Sequence, residues 1–543
     1  RSTLSSSSAA SDVYMRQVFM RFSFNKKWLL IALVVFFGMG ASLTSAEIPK
    51  DVLVIGHSLE NFLTLDPGVC FEAPTSGFVK NLYAPLVSLD VKDGKFIIQP
   101  EAAEKWEVAA DGKTWTFHLR KNMVFDNGDP LKAADVVYSL RRAIKLKKSP
   151  AWLFTDVLGL TEESITAPDD YTVKIVTNGA PPNAVLTNIG NTLGGILNSK
   201  VVKEHEVSGD MGMAWLTDHS AGAGAYVLKE WKRKEMAVFV ANKRYWKGEP
   251  KIKTIIFKDI PEAADRFLQI QKGDIDIAFN LLPEQVNELK SKPNLQVITT
   301  PGQSNEYVGV NANWGPFKDV RVRQAVKYAI DYDAIISKIR AGYAIPNQQF
   351  IAVGYFGYKE KNPFKQNLEK AKALMKEAGY ANGFDVELVT STREDRRNEA
   401  ILIKENLAQI GINATINVMQ AAQMYQKMRE QGINLIVAGW GIDYPDPDAL
   451  AKPFANHRAR QLAWRMAWYD DKAANMTEAA GKEMDEKKRA KLYEDLTEYW
   501  QQNSPFAMLY QTVEYWVVSK EVKGLLEAFA GFSMHIDFTK VTK

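Results

Sequence analysis

The chain has little of the chemistry that metal sites and the common hydrolase motifs require. Only one of its 543 residues, Cys70, is a cysteine, so neither an internal disulfide nor a thiolate metal site can form. None of its six histidines lies four residues from another, which argues against a helical zinc pair. The sequence has neither a G-x-S-x-G nor a G-x-x-x-x-G-K-[ST] motif. These absences argue against metal catalysis, a serine hydrolase and a nucleotidase, and we expect neither a metal nor a cofactor.

Net charge is also absent from most of the chain. The formal charge of +4 comes from the first 46 residues, which hold five Lys/Arg and one Asp, and the remainder has 63 residues of each sign. A neutral chain does not predict a nucleic-acid partner. The hydrophobic content of 46% and charged content of 24% are typical of globular proteins, and the length predicts two or three domains.

The N-terminal region has the pattern of a secretory signal peptide. A basic start precedes an apolar run at 28–39, and small residues follow it up to Ala46. This order predicts cleavage near Ala46 and export to the periplasm, with translation starting at Met15 or Met20. The run is too short to span a bilayer comfortably and no second one follows, so we expect no stable membrane insertion of the mature chain.

Strand and helix patterns alternate along the rest of the chain. Residues 114–120 alternate apolar and polar with period two, as a half-buried strand does, whereas residues 133–145 place apolar side chains at helical spacing. Asn367 is a predicted N-cap of a helix that stops at Gly379. The alternation predicts mixed α/β lobes.

One segment, GWGIDYPDPDAL at 439–450, concentrates acids and prolines where an apolar strand pattern ends. Asp443 and Asp446 together would suit the acid/base pair of a glycosidase, whereas a single buried Asp443 would suit a bound ammonium group. Asp446 and Asp448 would also suit the caps of a helix starting near residue 449, each worth about 1 kcal/mol. We favour ligand contact for Asp443, because ligands collect at strand ends of open α/β sheets, and capping for the other two.

Longer segments have spacings that occur together in one protein family. They are WEVAADGKTWTFHLRKNMVFDNGDPLKAADVVYSLRRA, GAGAYVL, PFKDVRVRQAVKYAIDYDAII and SPFAMLYQTVEYWVVSKEVKGL. Read in order, they resemble the family 5 extracytoplasmic solute-binding proteins of peptide-type ABC importers, the dipeptide- and oligopeptide-binding proteins. The resemblance covers nearly all of residues 50–540.

The resemblance implies an α/β fold of the large type II periplasmic-binding-protein class. Such proteins have two lobes, an extra subdomain inserted in the first lobe, and a two-strand hinge. The implied partition is 1–46 for an N-terminal extension plus signal peptide, 47–92 for the first segment of lobe I, 93–217 for the inserted subdomain, 218–303 for the second segment of lobe I, 304–508 for lobe II, and 509–543 for the C-terminal segment of lobe I.

The resemblance also implies a function and a set of contacts. It implies a monomeric receptor, not an enzyme, that closes on a short peptide and delivers it to an ABC permease at the inner membrane. In dipeptide-type members the aspartate after the Gly-Trp strand end binds the peptide's amino group, and here that position is Asp443. An arginine in the loop after an earlier strand binds the carboxylate, which implies Arg393, with Arg396 or Arg397 as substitutes. The other expected ligand contacts are Gly439, Trp440, Gly441, Ile442, Phe71 and Glu72.

The sequence leaves the identity of the ligand open. Members of the family also carry nickel complexes, opines and oligosaccharides, so a non-peptide solute is the alternative, and a secreted glycosidase is a remote one. The cysteine pairs of enteric relatives are absent from this sequence. Residues 456–471 are also more basic and aromatic than a purely dipeptide pocket predicts.

Overall fold

The computed structural model describes residues 48–60, 62–70, 73–92, 95–529 and 536–543. The predicted signal peptide and two predicted contacts, Phe71 and Glu72, lie outside the described residues. Within these ranges, no helix combines the length and the apolar character needed to cross a bilayer.

The strands fall along the whole described chain. In chain order they are β1 (Val52–His57), β2 (Val87–Lys92), β3 (Lys95–Pro100), β4 (Ala103–Val108), β5 (Thr114–Leu119), β6 (Ile165–Asp169), β7 (Thr172–Val176), β8 (Tyr226–Lys232), β9 (Met236–Ala241), β10 (Thr254–Asp259), β11 (Ile277–Ala278), β12 (Leu295–Val310), β13 (Ala344–Ile345), β14 (Phe384–Ser391), β15 (Ile412–Met419), β16 (Leu435–Gly441) and β17 (Phe506–Ser519).

The helices complete the element order. They span Ala73–Val79, Ala133–Leu146, Pro182–Ile189, Ser199–Glu204, Ala263–Lys272, Pro283–Leu289, Val320–Ala329, Tyr332–Ala334, Leu368–Glu377, Glu394–Ala408, Ala421–Arg429, Asp448–Ala455, Leu462–Arg465, Asp471–Lys482, Glu486–Asn503 and Leu525–Ala528. The predicted cap Asn367 occurs where expected, because its side chain accepts the Lys370 amide. Asp319 caps another helix by accepting the Arg321 amide.

Two long strands connect the halves of the largest sheet. This sheet of 11 strands has the order β15-β14-β16-β12-β17-β11-β1-β10-β9-β8, with β13 beside β17. Strands β12 and β17, of 16 and 14 residues, pair with each other; β12 pairs with β16 in one half, and β17 pairs with β11 in the other. Their register shifts between Pro301 and Asn305, an irregularity at which a strand can bend. They form the predicted two-strand hinge.

The second lobe is built on β14, β15 and β16. Strands β14 and β15 are parallel, and the helix Glu394–Ala408 connects them, burying Ala400, Ile403 and Leu407 at helical spacing. Strand β14 also pairs in parallel with β16, through Leu388 and Val389. The carboxyl ends of β14 and β16 therefore lie at the same edge of the sheet, where open α/β sheets bind ligands.

A separate antiparallel sheet, in the order β4-β5-β7-β6, lies within the predicted inserted subdomain. Its core, around Trp115 and Phe117, is continuous with buried residues of the second lobe that include Tyr444 and Leu450. The side-chain amide of Asn183 donates to the Asp446 carboxylate at 3.1 Å across this contact. The two-lobed α/β fold with an added subdomain is confirmed, while the predicted lobe boundaries stay predictions.

Candidate functional site

The strand β16 becomes less buried towards its carboxyl end. Residues 435–438 are buried, whereas Trp440 is half-buried and Gly441 is exposed. Trp440 pairs with Asn305 of β12, so the two side chains share one face of the sheet. The next residue, Ile442, is only 3% exposed and packs in the core. Asp443 follows directly, where the chain leaves the sheet.

Asp443 is an acid without a partner. Its side chain is half-buried, and no hydrogen bond or ion pair reaches it from any described residue. Burial alone raises the pKa of Asp443 to about 7. A desolvated carboxylate with no cation beside it is typical of binding sites, because a bound cation can stabilise the charge that the protein leaves uncompensated.

Asp446, three residues further on, has the opposite environment. It is fully buried and forms a two-point ion pair with Arg489, at 2.8 and 2.6 Å. This guanidinium keeps the pKa of Asp446 below its usual value despite the burial. Asp446 also accepts the Asp448 amide at 2.9 Å, at the start of the helix. Asp446 thus accepts one amide of the first turn, although the N-cap residue of this helix is Pro447. Its ion pair with Arg489 leaves Asp446 unsuited to acid/base work with Asp443.

The predicted cap role of Asp448 is wrong. Asp448 is the first residue of the helix Asp448–Ala455, and its side chain accepts none of the helix amides. Its carboxylate instead accepts the Tyr444 hydroxyl at 3.1 Å and pairs with Lys452 at 2.6 Å. Burial raises the pKa of Asp448, so these contacts serve to hold a buried acid in the core.

Gly439 lies against a second buried ion pair. The Arg396 guanidinium donates twice to the Glu306 carboxylate, at 2.8 Å each, with both side chains under 10% exposed. A β-carbon on Gly439 would lie 2.3 Å from Arg396 Nη2 and 2.4 Å from Glu306 Oε1. Position 439 is therefore a glycine because the ion pair occupies the space of a side chain. On Gly441, the nearest atom that a β-carbon would meet among the described side chains is Ser304 Oγ, at 3.8 Å.

Arg393, the predicted carboxylate receptor, already has anionic neighbours. It precedes the helix Glu394–Ala408, and its guanidinium bonds to Asp395 and lies 3.7 Å from Glu306. Its side chain is 51% exposed. Arg396, the predicted substitute, is held in the Glu306 pair. A ligand carboxylate at either arginine would share it with carboxylates of the protein.

Comparison with known proteins identifies the family. The profile of the bacterial extracellular solute-binding proteins, family 5 middle region, matches residues 98–461. The chain belongs to this family. Its two-lobed fold and strand-end site agree with that membership, and the family resemblance drawn from the sequence motifs is confirmed.

Individual relatives of this solute-binding protein are moderately distant. It is 27% identical to the probable D,D-dipeptide-binding periplasmic protein of Escherichia coli (strain K12), over 93% of this chain and 97% of the relative. The structure of HbpA2 from Haemophilus parasuis matches with a TM-score of 0.80 and 27% identity, covering 90% of this chain and 99% of that one. DppA from Helicobacter pylori, in complex with the peptide STSA, matches with a TM-score of 0.73 and 25% identity, covering 90% and 98%.

Most of the predicted contacts of the solute-binding protein share one neighbourhood. Gly439, Trp440, Gly441 and Asp443 lie close together in sequence at the end of β16, and Arg393 follows the adjacent β14. Of the two charged residues in this set, Arg393 has carboxylates beside it and Asp443 has no described partner. Whether each of the five touches ligand stays a prediction.

Sequence reasoning missed Arg465, in the helix Leu462–Arg465. Its guanidinium carbon lies 5.7 Å from the centroid of the Trp440 ring, a cation–π distance. No carboxylate within the described ranges pairs with it, and burial lowers the pKa of Arg465. The signal was available, because the segment 456–471 is unusually basic and aromatic, but composition alone did not indicate which cation faces the site.

Proposed function

We propose that this solute-binding protein captures short peptides in the periplasm and delivers them to an ABC permease at the inner membrane. One observation carries the proposal: Asp443 is a half-buried carboxylate, without a partner among the described residues, at the strand end that carries the half-buried Trp440. The free amino group of a peptide is a cation that a single carboxylate can bind by a charge-assisted hydrogen bond.

The comparisons support a peptide over other solutes. One relative is named a probable dipeptide-binding protein, and one structural neighbour holds the peptide STSA. We infer that Asp443 receives the peptide's ammonium group and that the Trp440 ring lines the cleft beside it.

We further propose that peptide binding closes the lobes about β12 and β17. The register shift between Pro301 and Asn305 provides a bend in the hinge, and the Asn183–Asp446 contact provides a closing interface on the far side. X-ray scattering with and without trialanine measures this motion. A smaller radius of gyration with saturating peptide is expected, and an unchanged or larger one would contradict closure.

Calorimetry with di-, tri- and tetra-alanine tests the function on the signal-free chain and its Asp443→Asn variant. Removing one partner of a buried charge pair costs about 2–5 kcal/mol, so Asp443→Asn should weaken binding roughly thirty- to several-thousandfold. N-acetylation of the same peptide removes its ammonium group and should weaken wild-type binding by a similar factor.

Combining Asp443→Asn with N-acetylation of the peptide tests whether Asp443 and the ammonium group contact each other. If Asp443 binds the ammonium group, acetylation should cost the Asn variant far less than it costs the wild type. Asp111→Asn is the control, because this exposed acid bonds only within its own turn and should leave affinity unchanged. Equal peptide affinity for wild type and Asp443→Asn would contradict the ammonium assignment, and a neutral solute such as an oligosaccharide would then be favoured.

A further inference from the structure

Three hydrogen-bond donors near the end of β16 have no acceptor in the described part of the chain. They are the indole Nε1 of Trp440, the Nε of Arg465 and the hydroxyl of Tyr307, each buried at the atom itself. A buried donor left unpaired costs about 1–3 kcal/mol, and folded proteins rarely keep several together. Their concentration at this strand end needs a reason.

The three donors belong to one neighbourhood. Trp440 pairs with Asn305 across the strands, and Tyr307 lies two residues from Asn305 on the same strand, so their side chains share a face. Arg465 lies against the Trp440 ring at 5.7 Å. Tyr307 and Arg465 also influence each other electrostatically. All three donors therefore belong to the region around the end of β16.

The charge of Arg465 is not balanced by an ion pair with any described acid. A second cation, Arg429, acts on it in the direction that disfavours its charge. Arginine and the indole N–H are donors only, and a tyrosine hydroxyl also donates. Such a set is complementary to an anionic, acceptor-rich group, above all to a carboxylate, which a guanidinium binds through a planar fork.

We propose that Arg465, together with the Trp440 indole N–H and the Tyr307 hydroxyl, binds a carboxylate of the ligand. The site complements Asp443, which has an unpaired charge of opposite sign in the loop that follows Trp440. It also differs from Arg393, whose guanidinium is shared between Asp395 and Glu306. The inference rests on the proposed peptide function and narrows it to peptides with a free carboxylate at this position.

The carboxylate has two possible sources, the C-terminus of the peptide and an acidic side chain. Three probes distinguish them: the oligoalanine that binds tightest in calorimetry, its C-terminal amide, and that amide with glutamate in place of the second alanine. A C-terminal source predicts that wild type prefers the acid to its amide. A side-chain source predicts that it prefers the glutamate amide to the alanine amide.

The decisive variant is Arg465→Met, which keeps the packing on Trp440 and removes the charge. The wild type should bind the peptide that carries the recognised carboxylate about thirty- to a thousandfold more tightly than the alanine amide. Arg465→Met should abolish this preference. It should change affinity for the alanine amide itself by less than about threefold. Arg465→Lys keeps the charge and should retain part of the preference, which shows that lost charge and not misfolding is responsible. Arg460→Gln, at an exposed arginine of the same segment, is the control and should change nothing.

The outcomes separate the two proposals. If Arg465→Met keeps the wild-type preference for the carboxylate-bearing peptide, this inference is overturned and the proposed peptide function is unaffected. If Arg393→Ala loses that preference instead, Arg393 binds the carboxylate. If no oligoalanine binds the wild type, the proposed peptide function falls and this inference falls with it.

Discussion

The buried ion pairs and the unpaired charges of this protein occur close to each other around the end of β16. Glu306 with Arg396, and Asp446 with Arg489, are closed pairs in which each charge meets its opposite at two points. Asp443 and Arg465 have opposite charges as well, yet neither has a charged partner in the described residues. The closed pairs contribute to holding the second lobe together, whereas the unpaired charges are the ones that we propose bind the ligand.

The energetics explain why both kinds are present. A buried pair is tolerated because each charge offsets the desolvation of the other, and it becomes costly only when one partner is removed. An unpaired, partly buried charge lowers stability until something binds it, which is the common compromise between stability and function at binding sites. Substitutions in the closed pairs should therefore lower stability, whereas substitutions of the unpaired charges should mainly affect ligand binding. The largest change in stability is expected for the closed pairs.

Removing Arg489 should break a closed pair. Arg489→Met leaves the fully buried Asp446 without its cation and should lower the free energy of unfolding by about 3–5 kcal/mol, measured by urea denaturation at pH 7. The control is Arg458→Met, because Arg458 pairs with Asp471 and Glu478 at the exposed surface and should contribute less than about 1 kcal/mol. Similar decreases in the free energy of unfolding for the two variants would mean that the buried pair contributes no more to stability than the exposed one.

Adding a methyl group at Gly439 should disturb the other closed pair. Gly439→Ala places a carbon within 2.4 Å of both Arg396 and Glu306 and should cost about 1–3 kcal/mol of stability through overpacking. Gly441→Ala, two residues along the same strand, meets nothing closer than 3.8 Å and should change stability by less than about 0.5 kcal/mol. Thermal unfolding of the two variants compares them, and equal midpoints would contradict the assigned role of Gly439.

The unpaired acid should make peptide binding depend on pH. With its pKa raised to about 7, Asp443 is mostly protonated at pH 5.5 and mostly ionised at pH 7.5. A bound ammonium group requires the ionised form, so peptide affinity should fall roughly tenfold or more between pH 7.5 and 5.5. Calorimetry across this range measures the fall, and Asp443→Asn should flatten it. A wild-type profile as flat as that of the variant would rule out Asp443 as the titrating group.

The same raised pKa should affect stability in the opposite sense to a salt bridge. Because the folded pKa of Asp443, about 7, exceeds the unfolded value of about 3.9, the folded state binds more protons between those values. Stability should therefore fall as pH rises from about 4 to about 7 and level off above it. Asp443→Asn should therefore raise the free energy of unfolding by about 1–2 kcal/mol at pH 8 and leave it unchanged at pH 4. Asp446→Asn should lower it at pH 8, so the two aspartates should change stability in opposite directions. Urea denaturation at the two pH values measures both, and equal shifts in the two variants would contradict the difference in their environments.

Local sequence was enough to predict much of the fold. The period-two pattern at 114–120 is strand β5, and the Asn367 cap begins the helix Leu368–Glu377, because both depend on residues a few positions apart. The ordered motifs likewise identified the family. The sequence also singled out Asp443 among its neighbours, since a carboxylate directly after a strand end in an α/β sheet is well placed for a ligand.

Tertiary structure decided how each charge is used. Asp446 is in a closed pair because the fold brings it against Arg489, which lies 43 residues away in sequence. Asn183, which also bonds to Asp446, lies 263 residues away. Gly439 is needed because Glu306 and Arg396 meet beside it, and Arg465 lies on Trp440 through packing of a short helix. No pattern within the segment 439–450 contains these partners. The sequence thus determined which side chains reach the strand end, and only long-range packing determined which of their charges remain unpaired.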